Sequence, residues 1–264
     1  MKRIYAFSCD GAKFAVALKR AKLVAASNRE PRKYLQGACI SAKPDGKEGA
    51  IVHVLGCDGH RLNVMPIASK GIAPTTSWDG KCAVYGDKIQ TVIHKSDIDL
   101  VCMFAKKAER LDVTVWNDSD SEVHEKAQLN IRLYNSFSPT VRSLSLYPHC
   151  DHYCEWRQVM PSAPEREGYQ DFDIDAEIAV ALQKKEAGES MVTFSDGVRT
   201  AKYCVEYWID MLRSMKIGTT AKTIKTAKLS LRGKGAAVVY AQGNEMTSLL
   251  MPISDAVVEQ QEAA

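Results

Sequence analysis

Apolar residues recur along the chain at two spacings: every third or fourth residue in some segments, and every second residue in others. The first spacing predicts helices and the second predicts strands. Helices are expected at residues 11–26, 86–94, 175–187 and 205–216. Strands are expected at residues 34–42, 51–55, 61–67, 82–85, 100–104, 111–116, 128–133, 191–195, 228–232, 236–242 and 247–253. This alternation predicts an α+β protein with helices on one face of antiparallel sheets.

A connector rich in proline, glycine and charge is predicted at residues 148–168, directly after the last strand of the first half. It divides the chain into a first domain at 1–147 and a second domain at 169–264. Residues 255–264 follow the last predicted strand, and we expect them to form a mobile tail.

Composition is that of a folded protein, because 45% of the 264 residues are hydrophobic and 25% are charged. The formal net charge is only +3, which leaves room for a basic face and an acidic face on one molecule. No apolar run has the length of a membrane span, and the basic start has too short an apolar stretch for a signal peptide. Most of the eight cysteines lie in apolar, strand-like segments, as buried thiols do in a reducing compartment. We therefore expect a cytoplasmic protein.

Two short runs carry the functional prediction. Residues 56–62 read Gly-Cys-Asp-Gly-His-Arg-Leu, an Asp-Gly turn between two strands, and residues 249–253 read Leu-Leu-Met-Pro-Ile. The second run resembles Val64-Met65-Pro66-Ile67, and this weak repeat indicates stacked copies of one unit. Neither run contains a nucleophile beside a base, or a metal cage. The two runs predict the walls of a peptide-docking site rather than an active site, so neither catalysis nor a cofactor is expected.

Three other features of the sequence suggest different chemistry. The run from His149 to Cys154 contains two histidines, two cysteines and an aspartate, but its spacing is too tight to wrap one zinc ion. A thiol- or metal-dependent enzyme built on that run stays open as a hypothesis. The glycines at 233–235 precede a strand rather than a helix, which disfavours a dinucleotide site, and His60 has no visible catalytic partner. Helical spacing predicts a core position for Tyr207, Trp208, Leu212 and Met215.

Three segments resemble the bacterial DNA polymerase III β sliding clamp, in the order in which that family has them. Residues 32–37 and 56–64 are similar to the middle domain of the clamp, and residues 156–161 are similar to its last connector. Residues 249–253 resemble the clamp's C-terminal strand. The resemblance implies a DNA-clamp fold of repeated βαβββ units. It also implies a non-enzymatic processivity factor that encircles duplex DNA and tethers partner proteins.

The resemblance implies a hydrophobic peptide-binding pocket, whose positions match residues of this chain one by one. These are Leu35, Cys57, Gly59, His60, Arg61, Leu62, Gln158, Val159, Leu249, Leu250, Met251, Pro252 and Ile253. An apolar notch with methionine and proline walls suits leucine or phenylalanine anchors. The implied partners are DNA polymerase, other proteins with clamp-binding motifs and a clamp loader.

A clamp that slides must hold phosphates through diffuse charge without reading bases. The cations expected to face DNA lie in or beside predicted helices. They are Lys13, Lys19, Arg20, Lys22, Lys88, Lys95, Lys184, Lys185, Arg213 and Lys216. The alternative is that these charges are simply solvated on the polar faces of their helices.

Several departures from the family bear on assembly and specificity. Bacterial members have three domains, and this chain matches two of them, so six domains per ring imply a head-to-tail trimer. Residues 169–200 are short for half a domain, and Cys57, Cys154 and Gln158 replace residue types that the family prefers. A second hypothesis is therefore a clamp mimic that binds clamp-motif peptides without forming a ring.

Overall fold

The computed structural model describes residues 2–45, 49–67, 89–117, 128–135, 138–149, 153–160, 169–218, 225–232, 235–241 and 246–253. The chain divides into two compact units. The first contains residues 1–56 and 65–154, and the second contains residues 57–64 and 155–264. The eight residues of the Asp-Gly turn and its outgoing strand therefore cluster with the second unit, although they lie within the first half of the sequence.

Two repeats of strand, helix and three strands account for the elements of the first half of the chain. The first repeat comprises β1 (Lys2–Cys9), α1 (Gly11–Val24), β2 (Gly37–Asp45), β3 (Gly49–Cys57) and β4 (Arg61–Ile67). The second comprises β5 (Ile89–His94), α2 (Ile98–Ala105), β6 (Arg110–Asn117), β7 (Gln128–Asn135) and β8 (Ser138–Leu146). A short 3₁₀ turn at Lys33–Leu35 precedes β2.

The two repeats of the first unit exchange their first strands. β1 pairs antiparallel with β6, and β5 pairs antiparallel with β2, so each sheet contains strands of both repeats. Helix α1 packs closely on β3, because a Cβ atom on Gly56 would lie 2.3 Å from the carbonyl oxygen of Ala21. The core includes the buried side chains of Phe14 and Leu18 from α1 and Val101 from α2.

The second unit contains one short repeat and one full repeat. A short helix, α3 (Trp156–Val159), comes first. The short repeat is β9 (Tyr169–Asp173), α4 (Ile174–Glu186) and β10 (Met191–Ser195). The full repeat is β11 (Thr200–Cys204), α5 (Val205–Lys216), β12 (Thr226–Arg232), β13 (Gly235–Ala241) and β14 (Thr247–Leu250). β10 and β11 form a two-stranded sheet, joined directly by the four residues 196–199.

The larger sheet of the second unit has the order β9, β12, β13 and β14, followed by the first residues of β4. β14 pairs antiparallel with β4 through four residue pairs, from Thr247 opposite Val64 to Leu250 opposite Arg61. Phe172, Phe194, Tyr203 and Trp208 form an aromatic cluster in the core of this unit. In the described part of the chain, no helix has the length and apolar character needed to cross a membrane.

Most predicted elements are present, but two neighbouring predictions in the first unit were wrong. Residues 89–94 form strand β5 instead of a helix, and the segment predicted as a strand at 100–104 lies in helix α2. Residues 90–93 are all buried, and three of them are β-branched, which suits a strand covered on both faces. In α2, Ile98, Val101, Cys102 and Ala105 are buried at helical spacing.

Four strands were missed, namely β1, β8, β9 and β11. The predicted strand at 82–85, most of the predicted connector and the predicted tail lie outside the described residues.

Candidate protein-docking site

The Asp-Gly turn of the second unit is fixed by hydrogen bonds that its own residues make. Asp58 Oδ1 accepts from the backbone amides of His60 (2.9 Å) and Arg61 (3.1 Å), and the Asp58 amide donates to the Arg61 carbonyl. Gly59 adopts a φ of 97°, which glycine reaches without the strain of a side chain. The Cys57 thiol accepts from the Gly59 amide at 3.2 Å, so Cys57 serves the turn and is itself buried.

Arg61 is a buried cation that joins the turn to helix α5. Its Nε donates to Asp58 Oδ2 at 2.9 Å, and its Nη1 donates to Asp210 Oδ2 at 3.1 Å. Its guanidinium also lies 4.7 Å from the centre of the Tyr207 ring, a cation–π distance. A buried guanidinium between two carboxylates is already compensated. Arg61 therefore fixes the turn to α5, and its guanidinium is not available as an ion-pair partner for a bound peptide.

Tyr207 completes the site, and the sequence interpretation assigned it to the core. It is only half-buried, and the His60 imidazole stacks on its ring with centroids 5.4 Å apart and planes 20° apart. Burial raises the pKa of the Tyr207 hydroxyl, and the Asp58 carboxylate adds to the effect. The phenol therefore stays neutral at physiological pH and contributes an aromatic surface with a polar edge.

The end of β14 docks on this turn. The Met251 amide donates to the His60 carbonyl at 2.8 Å, and the Ile253 amide donates to the Lys202 carbonyl at 2.8 Å. Leu62, Leu249 and Leu250 are buried within the sheet, whereas Met251 is 44% exposed. Met251 is therefore an exposed apolar residue whose backbone is bonded to the turn at His60, whereas the three leucines belong to the core.

A buried polar cluster lies within the same unit, behind the turn. Asn63 Nδ2 donates to Ser214 Oγ of α5 at 2.8 Å, and Ser248 Oγ of β14 donates to Asn63 Oδ1 at 2.7 Å. Ser214 Oγ in turn donates to the Met211 carbonyl. Asn63, Ser214 and Ser248 are fully buried, so this cluster fixes the register of β4 and β14 against α5.

The remaining predicted pocket residues lie on three other segments of the chain. Gln158 and Val159 lie on α3 of the second unit and are exposed, Val159 by 57%. Leu35 lies in the first unit, at the end of its 3₁₀ turn, and is buried. Pro252 and Ile253 are partly exposed after β14.

In the run at 149–154, His149 and Tyr153 are hydrogen-bonded to other residues of the first unit. The His149 amide donates to the Val92 carbonyl at 2.8 Å, and its Nε2 lies 3.1 Å from Gln36 Oε1. The Tyr153 amide donates to Gln90 Oε1 at 2.9 Å. Residues 150–152 lie outside the described residues, and within the described ones no group of three or more His, Cys, Asp or Glu could hold a metal ion.

The predicted DNA-facing cations differ in their surroundings. Lys13, Lys19 and Arg213 are exposed, whereas Arg20 is buried in α1. Lys95 Nζ donates to the Ala25 carbonyl at 3.1 Å, and Lys88 lies outside the described residues. The others form ion pairs: Lys22 with Asp99, Lys184 with Glu189, Lys185 with Glu206 and Lys216 with Asp175.

Comparison with solved structures shows the fold. The chain is similar to the DNA polymerase sliding clamp from Pseudomonas aeruginosa, with a TM-score of 0.67 and 14% sequence identity over 96% of this chain and 67% of that one. It is similar to the sliding clamp from Caulobacter crescentus, with a TM-score of 0.67 and 13% identity over 96% and 66%. DNA polymerase III subunit beta from Borrelia burgdorferi gives a TM-score of 0.65 and 10% identity over 96% and 64%.

These matches confirm the predicted resemblance and the predicted α+β clamp fold. The chain spans about two-thirds of the length of the clamps it matches. No protein-family model matches the chain, and no curated protein matches it in sequence. At 10–14% identity, the likeness is one of fold.

Proposed function

We propose that this protein is a DNA sliding clamp, a non-catalytic processivity factor that encircles duplex DNA and tethers replication proteins. The observation that carries the proposal is the docking site built on a clamp fold: exposed Met251 is bonded through its amide to the His60 carbonyl, and buried Arg61 fixes the turn that carries His60 to α5. The chemistry is that of a rigid aromatic and thioether surface, which receives apolar side chains.

The ligand of this site is a short peptide with leucine or phenylalanine anchors, carried by a polymerase or another partner. Methionine adapts its shape to different anchors, so one site serves several proteins. Val159 on α3 of the same unit is also apolar and exposed. The partners include a clamp loader, and the buried thiols Cys9, Cys39, Cys57 and Cys102 suit a cytoplasmic location.

Three copies assembled head to tail would supply the six domains of a ring. The heterologous contact that this requires closes only if its rotation permits. One observation favours a second candidate, a clamp mimic that binds the same peptides without closing a ring. The first repeat of the second unit ends after β10, whereas each repeat of the first half continues through three strands. A sheet this short offers less edge for a neighbouring copy.

Molecular mass in solution and retention on DNA distinguish the two candidates. A sliding clamp is expected to have the mass of three chains and to stay on circular duplex DNA after loading, but to slide off linear DNA. A monomer that binds peptide yet is retained on neither DNA would establish the mimic and contradict the ring.

The docking site is tested by titrating a labelled peptide with leucine and phenylalanine anchors. Met251→Ala is expected to weaken binding at least tenfold, because it removes the exposed apolar contact. Val198→Ala is the matched control, since Val198 is 88% exposed on the β10–β11 turn of the same unit and lies outside the site. Equal affinity of the Met251 variant and the wild type would refute the assignment.

A further inference from the structure

The two units carry opposite net charge, although the whole chain is only slightly basic. The first unit contains 21 lysines and arginines and 15 aspartates and glutamates, a net charge of +6. The second unit contains 14 basic and 17 acidic residues, a net charge of −3. A polyanion is therefore attracted to the first unit more than to the second.

The same asymmetry holds for the longer helices of the two units. Helix α1 carries Lys13, Lys19, Arg20 and Lys22, with no acidic residue in its 14 positions. Helix α2 carries one charge, that of Asp99. Helix α4 has three acidic and two basic residues, and α5 has two of each. The excess positive charge on these helices belongs to α1.

Ion pairs use most of the cations of the second unit's helices. Lys185 of α4 pairs with Glu206 of α5 at 2.8 Å, and Lys216 of α5 pairs with Asp175 of α4. Lys184 pairs with Glu189 at 2.6 Å. The first two pairs cross-link α4 and α5, and the third lies at the C-terminal end of α4, so the charges of these three lysines are largely compensated before any phosphate approaches. Arg213 is exposed, and the Asp210 carboxylate one turn before it already pairs with Arg61.

Two lysines of helix α1 are available to bind an external partner. Lys13 and Lys19 are exposed, and within the described part of the chain neither forms an ion pair. They lie six residues apart, about 9 Å along the helix axis and about a third of a turn apart around it. Lys22 is the α1 cation that pairs across the helices, with Asp99 of α2 at 2.5 Å. Arg20 is buried behind this surface, where burial lowers its pKa to about 10, so it stays charged at neutral pH.

We propose that duplex DNA is held by one helix of each chain, through Lys13 and Lys19 of α1, and that α4 and α5 of the second unit contribute no net phosphate binding. This inference rests on the proposed function and specifies which face of the protein carries the DNA. DNA would lie closer to the first unit of each copy, and the neutral helices of the second unit would let it slide.

The test is the salt dependence of binding to a random-sequence duplex. Each phosphate contact contributes about 0.9 to the slope of log affinity against log salt. Lys13→Ala with Lys19→Ala is expected to lower the slope by about 2 per bound chain, and affinity at ~0.1 M salt roughly 50-fold. Lys184→Ala with Arg213→Ala removes the same charge from the second unit, and its slope is expected to stay within about 0.5 of the wild type.

The outcomes separate this inference from the proposed function. If the wild type binds duplex DNA and the second-unit variant loses as much affinity as the α1 variant, or more, the asymmetry is refuted while the clamp proposal stands. If the wild type does not bind duplex DNA at low salt, the asymmetry and the clamp proposal are both refuted. Peptide titration and the thermal midpoint of each variant show that a loss of DNA affinity is not a loss of fold.

Discussion

Asn63 is a polar residue in the middle of a buried strand, and its amide serves two other buried groups. It donates to Ser214 of α5 and accepts from Ser248 of β14. Asn63→Ala would leave both hydroxyls short of a partner in a site that water does not reach. We expect the free energy of unfolding of the second unit to fall by about 1–3 kcal/mol, measured by denaturant titration.

Asn28→Ala is the control for this change, because Asn28 is exposed and its backbone carbonyl, which the substitution keeps, accepts a hydrogen bond from Gln36. Its unfolding midpoint is expected to match that of the wild type. An Asn63 variant as stable as this control would mean that the polar cluster does not set the register of β4 and β14.

The sequence predicted the turn of the docking site better than its surroundings. An Asp-Gly pair between two strands is a local signal, and its geometry follows from Gly59 and the Asp58 carboxylate. Tyr207 was missed because its spacing from Trp208 and Leu212 is that of a core helix. Its contact with His60 joins residues 147 positions apart, and no local pattern reports such a contact.

At the scale of elements, periodicity succeeded where one face of a segment is buried. Helices α1 and α5 each bury a stripe of residues, whereas α4 buries Ile174 and Ala181, and the predicted bounds of all three lie within two residues of the observed ones. The predicted types of β5 and α2 were the reverse of the observed ones because both are short apolar runs. Such runs fit the spacing of a helix and that of a strand equally well. What separates them is burial on both faces of β5, which depends on the neighbouring strand β2 and on the rest of the unit.

The packing of α1 on β3 depends on the absence of a side chain at Gly56. A Cβ atom there would lie 2.3 Å from the carbonyl oxygen of Ala21 and 2.6 Å from its Cα. Because backbone atoms cannot rotate away as a side chain can, Gly56→Ala must move α1 away from β3. We expect it to destabilise the first unit by about 1–3 kcal/mol in thermal or denaturant unfolding.

Ala12→Ser, at an exposed position of α1, is the comparison for Gly56→Ala and should change stability far less. If the two variants unfold at the same midpoint, the helix and the sheet are not in the close contact described here.

His149 fastens the end of the first unit to β5, and this contact is expected to depend on pH. Burial lowers the pKa of His149 below its ordinary value of 6.5, and the charges of His94 and Lys33 lower it further, while Asp97 acts in the opposite direction. The unfolded chain therefore takes up a proton before the folded one as the pH falls. The stability contributed by neutral His149 is complete above about pH 6.5 and is lost as the pH falls through the lower folded pKa.

The thermal midpoint of the first unit is accordingly expected to fall between about pH 7.5 and about pH 5, and to fall less in His149→Asn. Asn28→Ala, at an exposed position without a titratable side chain, is the control and should leave that slope unchanged. An identical slope in the His149 variant would assign the pH dependence to other groups.

At the scale of the whole molecule, opposite charge on the two units favours one mode of self-association. A head-to-tail contact brings the unit of net charge +6 on one copy to the unit of net charge −3 on the next. An isologous contact between two copies of the same unit would pair like with like. Because salt screens this attraction, the mass measured by light scattering is expected to fall from three chains towards one between about 50 mM and about 500 mM salt.

A charge variant separates this attraction from general effects of salt. Lys106→Glu with Lys107→Glu, at two exposed positions after α2, lowers the net charge of the first unit from +6 to +2. Because the attraction to the second unit weakens in proportion, the variant should dissociate at lower salt than the wild type. A mass that is the same in both proteins and at both salt concentrations would show that charge does not direct assembly. Closure of a ring would then depend on strand pairing at the sheet edges, including the shortened β10–β11 sheet.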